Sequence, residues 1–193
     1  LKAVSGKPLV LHVHSLEYDR GGAESLGWVY ELERHAMNQA DRIVAVSDYT
    51  SQIIQGHYGI DPSKIRVIHN GIHPRKGYRI SPPFQKPLIL YLGRLAGQKG
   101  PEYFYEAAKL LLEQGRKLQF VIAGKGPMID SLIQQTNADH LGEQIRFTGF
   151  LEPDRVQDLL AMTAVYVMPS VSEPFGLSAL EAAQMGVPCI ISK

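Results

Sequence analysis

The sequence predicts an α/β fold made of doubly wound, parallel sheets. From residue 88 onward, short apolar, β-branched runs alternate with longer segments of helical character. The first 72 residues show the same alternation in a shorter form. Helical connections of this length join parallel strands, because parallel neighbours need a crossover of a dozen or more residues.

The elements of the second half are predicted in a regular order. Strands are predicted at 88–92, 118–123, 145–147, 165–168 and 188–192, with helices at 101–114, 128–139 and 153–162 and a fourth that opens at Gly176. In open sheets of this kind, ligands bind at the carboxyl ends of the strands. The loops that follow the strands are therefore the first place to look for function.

Residues 1–72 predict a smaller, partial domain of the same class. Its strands are predicted at 9–14, 41–47 and 65–69, with one helix from Glu24 to about residue 40 and another that Ser47-Asp48 caps and that ends near Gly56 or Gly59. Residues 73–87 contain four prolines, one glycine and four Lys/Arg, which indicates a linker. We predict a partial N-terminal Rossmann-like domain at 1–72, a linker at 73–87 and most of a C-terminal Rossmann-like domain at 88–193.

Composition excludes several functional classes. The chain has 193 residues, 45% of them hydrophobic and 20% charged, and a net charge of +1. A net charge this small gives no strong positive potential that would attract nucleic acid. No apolar run of about 18 residues and no N-terminal apolar core occur, so neither a membrane span nor a signal peptide is predicted.

The single cysteine and the chain ends give two further expectations. Cys189 lies in the apolar run 187–191 and is predicted to be a buried, inert thiol. No disulfide can form within the chain, which fits a reducing, cytoplasmic compartment. Because Leu1 is not a start residue and Lys193 follows a strand-like run, we expect a fragment truncated at both ends.

Two glycine-rich loops with cationic side chains follow predicted strands. Residues 93–100 include Gly93, Arg94 and Lys99, and residues 124–127 read Gly-Lys-Gly-Pro. Glycine allows a close backbone approach to phosphate, and the cations would balance its charge. The first loop is not a Walker P-loop, since the Gly-Lys-Ser/Thr ending is missing.

A third loop carries two carboxylates. Glu173 and Glu181 are eight positions apart, and Pro174 and Gly176 predict that Glu173 lies in a loop and Glu181 on the following helix. Carboxylates accept hydrogen bonds from sugar hydroxyls, while a helix start offers unpaired N–H groups to phosphate. This arrangement suits a polyhydroxylated ligand with an anionic middle.

Two histidines lie near the end of the first predicted strand. Strand alternation places His12 and His14 on the same face. A third ligand at a recognisable spacing is missing, so a metal site is not predicted. His14, the last residue of the predicted strand, is the better functional candidate, because ligands bind at that end.

Together these motifs resemble those of a retaining glycosyltransferase of the GT-B fold, family 4, including its glycogen-synthase-like members. The resemblance spans nearly the whole chain and rests on the following segments: 13–15 with Glu17 and Arg20, 40–47, 69–72, 93–95 with 99–100, 123–127, and 173–177 with 181–182. The two glutamates with the internal Phe175-Gly176-Leu177 are the most specific part. The glycine-rich N-domain loop and the last C-domain elements of the family are absent, and acceptor recognition would lie largely in the missing parts.

The resemblance implies a role for each matched residue. Arg94 and Lys99 would neutralise the donor diphosphate, Glu181 would bind the ribose hydroxyls, and Glu173 would face the donor sugar. Phe175, Gly176 and Leu177 would line the sugar and its phosphates, with Gly93 in the adjacent loop. The loop that contains Gly124 and Gly126 would lie near base and ribose, and His14 would meet the transferred sugar from the acceptor-side domain.

The implied reaction is transfer of a sugar from a UDP-, ADP- or GDP-hexose to a hydroxyl of a carbohydrate or lipid-linked acceptor, with retention of configuration. No cofactor or metal is expected, and peripheral membrane contact is compatible with a lipid-linked acceptor. Two alternatives stay open: a GT-B relative such as an epimerase or phosphorylase, and a non-catalytic nucleotide-sugar-binding module. A dinucleotide-dependent oxidoreductase is disfavoured, because Gly124-x-Gly126 lacks its third glycine.

Overall fold

The computed structural model describes residues 2–22, 27–83 and 85–192. Its chain divides into two units, Leu1–Gly71 with Ser172–Phe175, and Ile72–Val171 with Gly176–Lys193. Both units contain a parallel sheet with helical connections. The predicted α/β class with parallel sheets is therefore confirmed.

The first unit is built on a three-stranded parallel sheet. Its strands are β1 (Val10–Val13), β2 (Arg42–Ala45) and β3 (Ile65–Val67), in the order β1-β2-β3, and its helices are α1 (Lys2–Ser5), α2 (Glu17–Gly21), α3 (Trp28–Gln39) and α4 (Asp48–Gly56). Ile43 and Ala45 of the central strand are fully buried and pack with Ile54 of α4. The helix predicted from Glu24 to about residue 40 corresponds to α3, and its predicted start at Glu24 lies outside the described residues.

Sequence signals account for the boundaries in this unit. The Ser47 hydroxyl accepts a hydrogen bond from the Thr50 N–H at 3.1 Å, so Ser47 caps α4 as predicted. The first strand is shorter than predicted and ends at Val13, so His14 follows the strand. Asp41 precedes β2, and its carboxylate accepts a hydrogen bond from the Leu9 N–H at 2.8 Å.

Residues 73–83 and 85–87 form no helix or strand. The Arg79 guanidinium donates hydrogen bonds to the carbonyls of Thr163, at 2.9 Å, and Gly186, at 2.7 Å. The Tyr78 hydroxyl donates to Asp158 at 3.0 Å. Polar contacts of this kind join the Pro-rich stretch to the second unit, to which it belongs.

The second unit is built on a five-stranded parallel sheet in the order β6-β5-β4-β7-β8. Its strands are β4 (Leu88–Leu92), β5 (Gln119–Ala123), β6 (Ile145–Gly149), β7 (Val165–Met168) and β8 (Cys189–Ile191), and its helices are α5 (Pro101–Glu113), α6 (Ile129–Ala138), α7 (Pro153–Met162) and α8 (Leu177–Gln184). The alternation of strands and helices along the chain, and the parallel sheet that they form, agree with the predicted doubly wound arrangement. β4 and β7 are neighbours near the middle of the sheet.

Alternating side chains of the central strands build a core on each face of this sheet. Leu88 and Leu90 of β4 pack with residues of α7 and α8, whereas Tyr91 packs with residues of α5 and α6. Alternation follows from strand geometry, in which successive side chains point to opposite faces. Helices on both faces bury the central strands, and this burial fixes where their carboxyl ends lie.

The predicted burial of Cys189 is wrong. The residue is exposed, because β8 is the last strand in the order of the described sheet and has β7 as its neighbour on one side. Its thiol lies 3.3 Å from the carbonyl of Val187, and partial burial raises the pKa of the thiol. An apolar run at the edge of a sheet does not bury its side chains as the same run does at the centre.

Candidate functional site

A cavity lies at the carboxyl edge of the five-stranded sheet. It has a volume of about 330 Å³ and is lined by Leu92, Gly93, Arg94, Ala123, Gly124, Lys125, Phe150, Leu151 and Val156. The loops after β4, β5 and β6 supply most of this lining, because the carboxyl ends of parallel strands meet at one edge. Its volume is in the range of cavities that hold small molecules.

The structure thus brings Gly93 and Arg94 together with Gly124 and Lys125 in the lining of one cavity. The loop after β6 also lines the cavity, which the sequence analysis did not predict. β6 continues to Gly149, two residues beyond the predicted end, and Phe150 and Leu151 follow it. Phe150 is 63% exposed, and a large aromatic directly after a strand is the signal that could have indicated it.

Close packing of the two loops explains their glycines. A Cβ atom on Gly124 would lie 1.9 Å from the Gly93 carbonyl oxygen, and one on Gly126 would lie 2.2 Å from the Leu95 carbonyl oxygen. Gly124 also has a φ of +140°, which favours glycine. Both glycines are therefore needed where one loop backbone contacts the other.

Backbone hydrogen bonds hold these loops in register beyond the strands. The Gly93 N–H donates to the Ala123 carbonyl and the Leu95 N–H to the Lys125 carbonyl, both at 3.0 Å. The Gly124 N–H donates to the Gly149 carbonyl at 2.9 Å. The floor of the cavity is in this way an extension of the sheet.

Lys99 lies in a short 3-10 turn, Gly97–Lys99, between β4 and α5. Its side chain is half-buried, whereas Arg94 is exposed. Gly100 ends the turn with a φ of +61°, and a Cβ atom there would lie 2.2 Å from the carbonyl oxygen of Pro169. The cationic loop is therefore packed against the segment that follows β7.

That contact is reinforced by the backbone. The Val171 N–H donates to the Gln98 carbonyl at 2.9 Å.

α8 begins after Gly176, which has a φ of +87° and precedes Leu177, the first residue of the helix. The first N–H groups of a helix have no partner within the helix, so this start can bind an anion.

The two glutamates are located as predicted with respect to secondary structure. Glu173 lies in the irregular segment between β7 and α8, and Glu181 is an exposed residue of α8. They belong to different units: Glu173 and Phe175 group with the first unit, whereas Gly176, Leu177 and Glu181 belong to the second.

Within the first unit, two contacts fix the segment Ser172–Phe175. The Ser172 hydroxyl donates to a carboxylate oxygen of the buried Asp19 at 3.0 Å, and the other oxygen of Asp19 accepts a hydrogen bond from the Leu16 N–H at 2.7 Å. The Phe175 ring lies 5.8 Å from the His69 ring, measured between centroids. The first and last residues of this segment, Ser172 and Phe175, are thus held by contacts within the first unit.

His14 directly follows β1 and is exposed. Its ring centroid lies 4.1 Å from that of His12, so the two histidines share one side of the strand as predicted. Across residues 2–22, 27–83 and 85–192, no group of three or more His, Cys, Asp or Glu side chains is arranged to hold a metal ion. None of the helices in these ranges is long and apolar enough to cross a membrane.

Fold and site together define a protein of two Rossmann-like α/β units, the second of which has a cavity at the carboxyl edge of its sheet. The sequence profile of the glycosyl transferases group 1 matches residues 79–193, and that of Glycosyltransferase Family 4 matches residues 1–76. The chain belongs to the glycosyl transferases group 1 family.

Curated relatives agree with this assignment. An uncharacterized glycosyltransferase of Methanocaldococcus jannaschii is 31% identical over all of the chain and 53% of the relative's length. The glycogen synthase of Mycobacterium tuberculosis is 31% identical over 96% of the chain and 46% of the relative. The chain spans about half the length of the curated relatives it matches.

Among solved structures, HepE from Anabaena, crystallised with UDP and glucose, superposes with a TM-score of 0.82 at 20% identity. The superposition covers 100% of the chain and 54% of HepE. At this identity the likeness shows the fold alone, which is of the GT-B type.

Proposed function

We propose that the protein containing this chain transfers a hexose from a nucleotide-diphosphate sugar to an acceptor hydroxyl, with retention of anomeric configuration. The observation that carries the proposal is the carboxyl edge of the five-stranded sheet. There a small-molecule cavity adjoins a loop with two cations, Arg94 and Lys99, and the same unit contains the start of α8.

The cavity is the proposed site for the nucleoside. Its lining combines apolar side chains, Phe150, Leu151 and Val156, with backbone of the glycine loops after β4 and β5. Such a site suits a flat, partly apolar base that is bound through main-chain groups and ring contacts. Main-chain contacts do not by themselves select among UDP, ADP and GDP.

Arg94, Lys99 and the helix start are the proposed diphosphate site. When the bond between the anomeric carbon and the phosphate oxygen breaks, its electron pair remains on the diphosphate. Cations and helix N–H groups already positioned there stabilise the charge that develops in the transition state. We expect this stabilisation to come from protein groups without a metal ion.

Glu173 and Glu181 are proposed to bind hydroxyl groups of the donor, Glu173 on the sugar and Glu181 on the ribose. An ionised carboxylate accepts hydrogen bonds from neighbouring hydroxyls, and such charged pairs are strong. Phe175, Gly176 and Leu177 would pack along the sugar and phosphates. His14 is proposed to contact the transferred sugar.

The names of relatives support a nucleotide sugar as the donor, but they do not narrow the acceptor to one chemical class. HepE is described with UDP and glucose. One curated relative is named a glycogen synthase, and another transfers galactose from UDP-Gal to a diphosphoundecaprenol-linked sugar. The acceptor of this protein is accordingly proposed to be a carbohydrate or a lipid-linked sugar.

The proposal is tested by ligand binding followed by product analysis. Thermal unfolding is measured with UDP-, ADP- and GDP-hexoses, since a ligand at 100 times its dissociation constant stabilises by about 2.7 kcal/mol. The stabilising donor is then incubated with acceptors, and we expect free nucleoside diphosphate together with a glycosylated acceptor whose linkage keeps the donor configuration.

Other outcomes would identify other functions. Stabilisation by a donor without any turnover would indicate a binding module. An isomerised nucleotide sugar would indicate an epimerase, and a sugar 1-phosphate formed from a glycoside and phosphate would indicate a phosphorylase. No stabilisation by any of the three donors would contradict the proposed function itself.

A further inference from the structure

Two buried tyrosines lie beneath the edge that carries the cavity. Tyr91 of β4 is 2% exposed and Tyr166 of β7 is 0% exposed. The strands are parallel neighbours, with Leu90 opposite Tyr166. Tyr91 belongs to the core shared with α5 and α6, and Tyr166 to the core shared with α7 and α8, so the rings lie on opposite faces of the sheet.

The hydroxyl of Tyr91 contacts the backbone of the cationic loop at two points. It donates to the Arg94 carbonyl at 2.9 Å and lies 3.4 Å from the Lys99 carbonyl. The Tyr91 hydroxyl is therefore hydrogen-bonded to the main chain of Arg94 and packs against that of Lys99, the two residues proposed to bind the diphosphate. A loop with three glycines would otherwise have wide backbone freedom.

The hydroxyl of Tyr166 holds the first turn of α8. It donates to the Ser178 hydroxyl at 2.7 Å, and Ser178 is the second residue of the helix. It also lies 3.3 Å from the carbonyl of Leu92, the last residue of β4. Tyr166 thus fixes the helix start relative to the strand from which the cationic loop departs.

Other buried tyrosines of the described chain have different partners. The Tyr105 hydroxyl donates to the carboxylate of Asp139 at 2.6 Å, and the Tyr58 hydroxyl donates to Glu33, also at 2.6 Å. Those bonds satisfy core hydroxyls at sites away from the cavity lining. Tyr91 and Tyr166 are distinguished by bonding to the two segments that are proposed to bind the diphosphate.

We propose that Tyr91 and Tyr166 are positioning residues for the diphosphate, an inference that rests on the proposed function. Both tyrosines are buried, so their hydroxyls are proposed to act through the loop and helix backbone and not by contact with the ligand. Tyr91 sets the separation of Arg94 and Lys99 through their carbonyls, and Tyr166 sets the orientation of the first turn of α8 through Ser178.

The test compares affinities for UDP and UMP, with ADP/AMP and GDP/GMP as parallel pairs, by calorimetry on the protein. The ratio of the two affinities isolates the contribution of the second phosphate. Tyr91→Phe and Tyr166→Phe are each expected to lower this ratio about fivefold, the change that corresponds to one hydrogen bond, while the affinity for the monophosphate stays within about twofold.

Tyr105→Phe is the matched control. It removes a hydroxyl from an equally buried ring and is expected to lower thermal stability while it leaves the diphosphate-to-monophosphate ratio unchanged. Ser178→Ala removes the other partner of the Tyr166 hydrogen bond with a smaller change in side-chain volume. It should lower the diphosphate-to-monophosphate affinity ratio as much as Tyr166→Phe does. If Tyr105→Phe lowers the ratio as much, the positioning role is overturned.

A double-variant experiment separates positioning from general loosening. In an Arg94→Ala/Lys99→Ala background, Tyr91→Phe should cause no further change in the ratio, whereas Tyr166→Phe should still lower it. Equal losses of UDP and UMP affinity in the tyrosine variants would overturn the inference alone. If the wild type gains nothing from the second phosphate in any pair, the proposed diphosphate site and the inference both fail.

Discussion

Arg94 and Lys99 are the residues on which the proposed chemistry depends most directly. Arg94→Ala or Lys99→Ala in the whole enzyme is expected to lower donor turnover by more than about tenfold, because each removes a positive charge from the departing diphosphate. Steady-state release of nucleoside diphosphate measures this effect.

Lys117→Ala provides the control for that measurement. Lys117 is an exposed cation next to the amino end of the five-stranded sheet, two residues before β5. Its removal should leave turnover unchanged. Near-normal turnover in both Arg94→Ala and Lys99→Ala would contradict the diphosphate assignment.

At Gly124, conformation and packing both require glycine. Gly124→Ala is expected to destabilise the fold by about 2–3 kcal/mol, because its Cβ atom would overlap the Gly93 carbonyl and its φ of +140° is strained for alanine. Urea unfolding gives the change in the free energy of unfolding.

Gly56→Ala is the comparison for this glycine. Gly56 is the last residue of α4 and has open space where a Cβ atom would lie. Alanine there should be neutral or stabilising by up to about 1 kcal/mol. Equal effects of the two substitutions would contradict the packing argument.

At the scale of single elements, the capped start of α4 gives a direct prediction. Ser47→Ala removes the acceptor for the Thr50 N–H and is expected to cost about 1 kcal/mol of stability. Ser47→Asp should retain most of it, since aspartate also caps and its charge favours a helix start. A loss of equal size in both variants, measured by urea unfolding, would show that the hydroxyl contributes by other contacts.

Elements of the second unit were predictable because their signals are local. Strands 88–92 and 165–168 and helix 153–162 coincide with the predicted ranges, since β-branched runs and helix-opening prolines fix them. β6 was predicted too short because Gly149 pairs with Ala123 of β5 only after an irregularity in the register, which the sequence does not indicate. Cys189 was misjudged because sheet order, which decides edge or centre, depends on contacts distant in sequence.

For the candidate site, residue types were predictable but contacts were not. Gly93, Arg94, Gly124 and Lys125 could be expected at one edge because each follows a predicted parallel strand. The hydroxyls of Tyr91 and Tyr166 could not, since an apolar strand gives no sign of what its tyrosines reach. The glycines were predicted to allow a close approach of phosphate to the backbone. In the structure, Gly124 and Gly126 also allow the close approach of the neighbouring loop.

For the molecule as a whole, we expect the free energy of unfolding to fall at low pH, in part because Asp139 becomes protonated. Hydrogen bonds from Tyr105, and then from Lys109, lower the pKa of this carboxyl from its ordinary value of 3.8. Because the folded pKa lies below the unfolded one, ionised Asp139 stabilises the fold above the unfolded value. This contribution is lost as the pH falls through the folded pKa.

Asp139→Asn is accordingly expected to make stability less dependent on pH in the acid range, as measured by urea unfolding at pH values from about 2.5 to 6. Tyr105→Phe removes the largest cause of the lowered pKa and should reduce the same dependence in part. An acid slope identical to that of the wild type in both variants would exclude Asp139 as a contributor.

The backbone packing of the glycine loops also limits how the proposed nucleoside site could be redesigned. A Cβ atom on Gly124 or Gly126 would overlap the carbonyl oxygen of Gly93 or Leu95, respectively, so libraries at these two positions would yield mostly unfolded variants. Phe150, Leu151 and Val156 line the same cavity with side chains. A combinatorial library that seeks a different nucleotide donor should therefore vary these three positions and leave the glycines untouched.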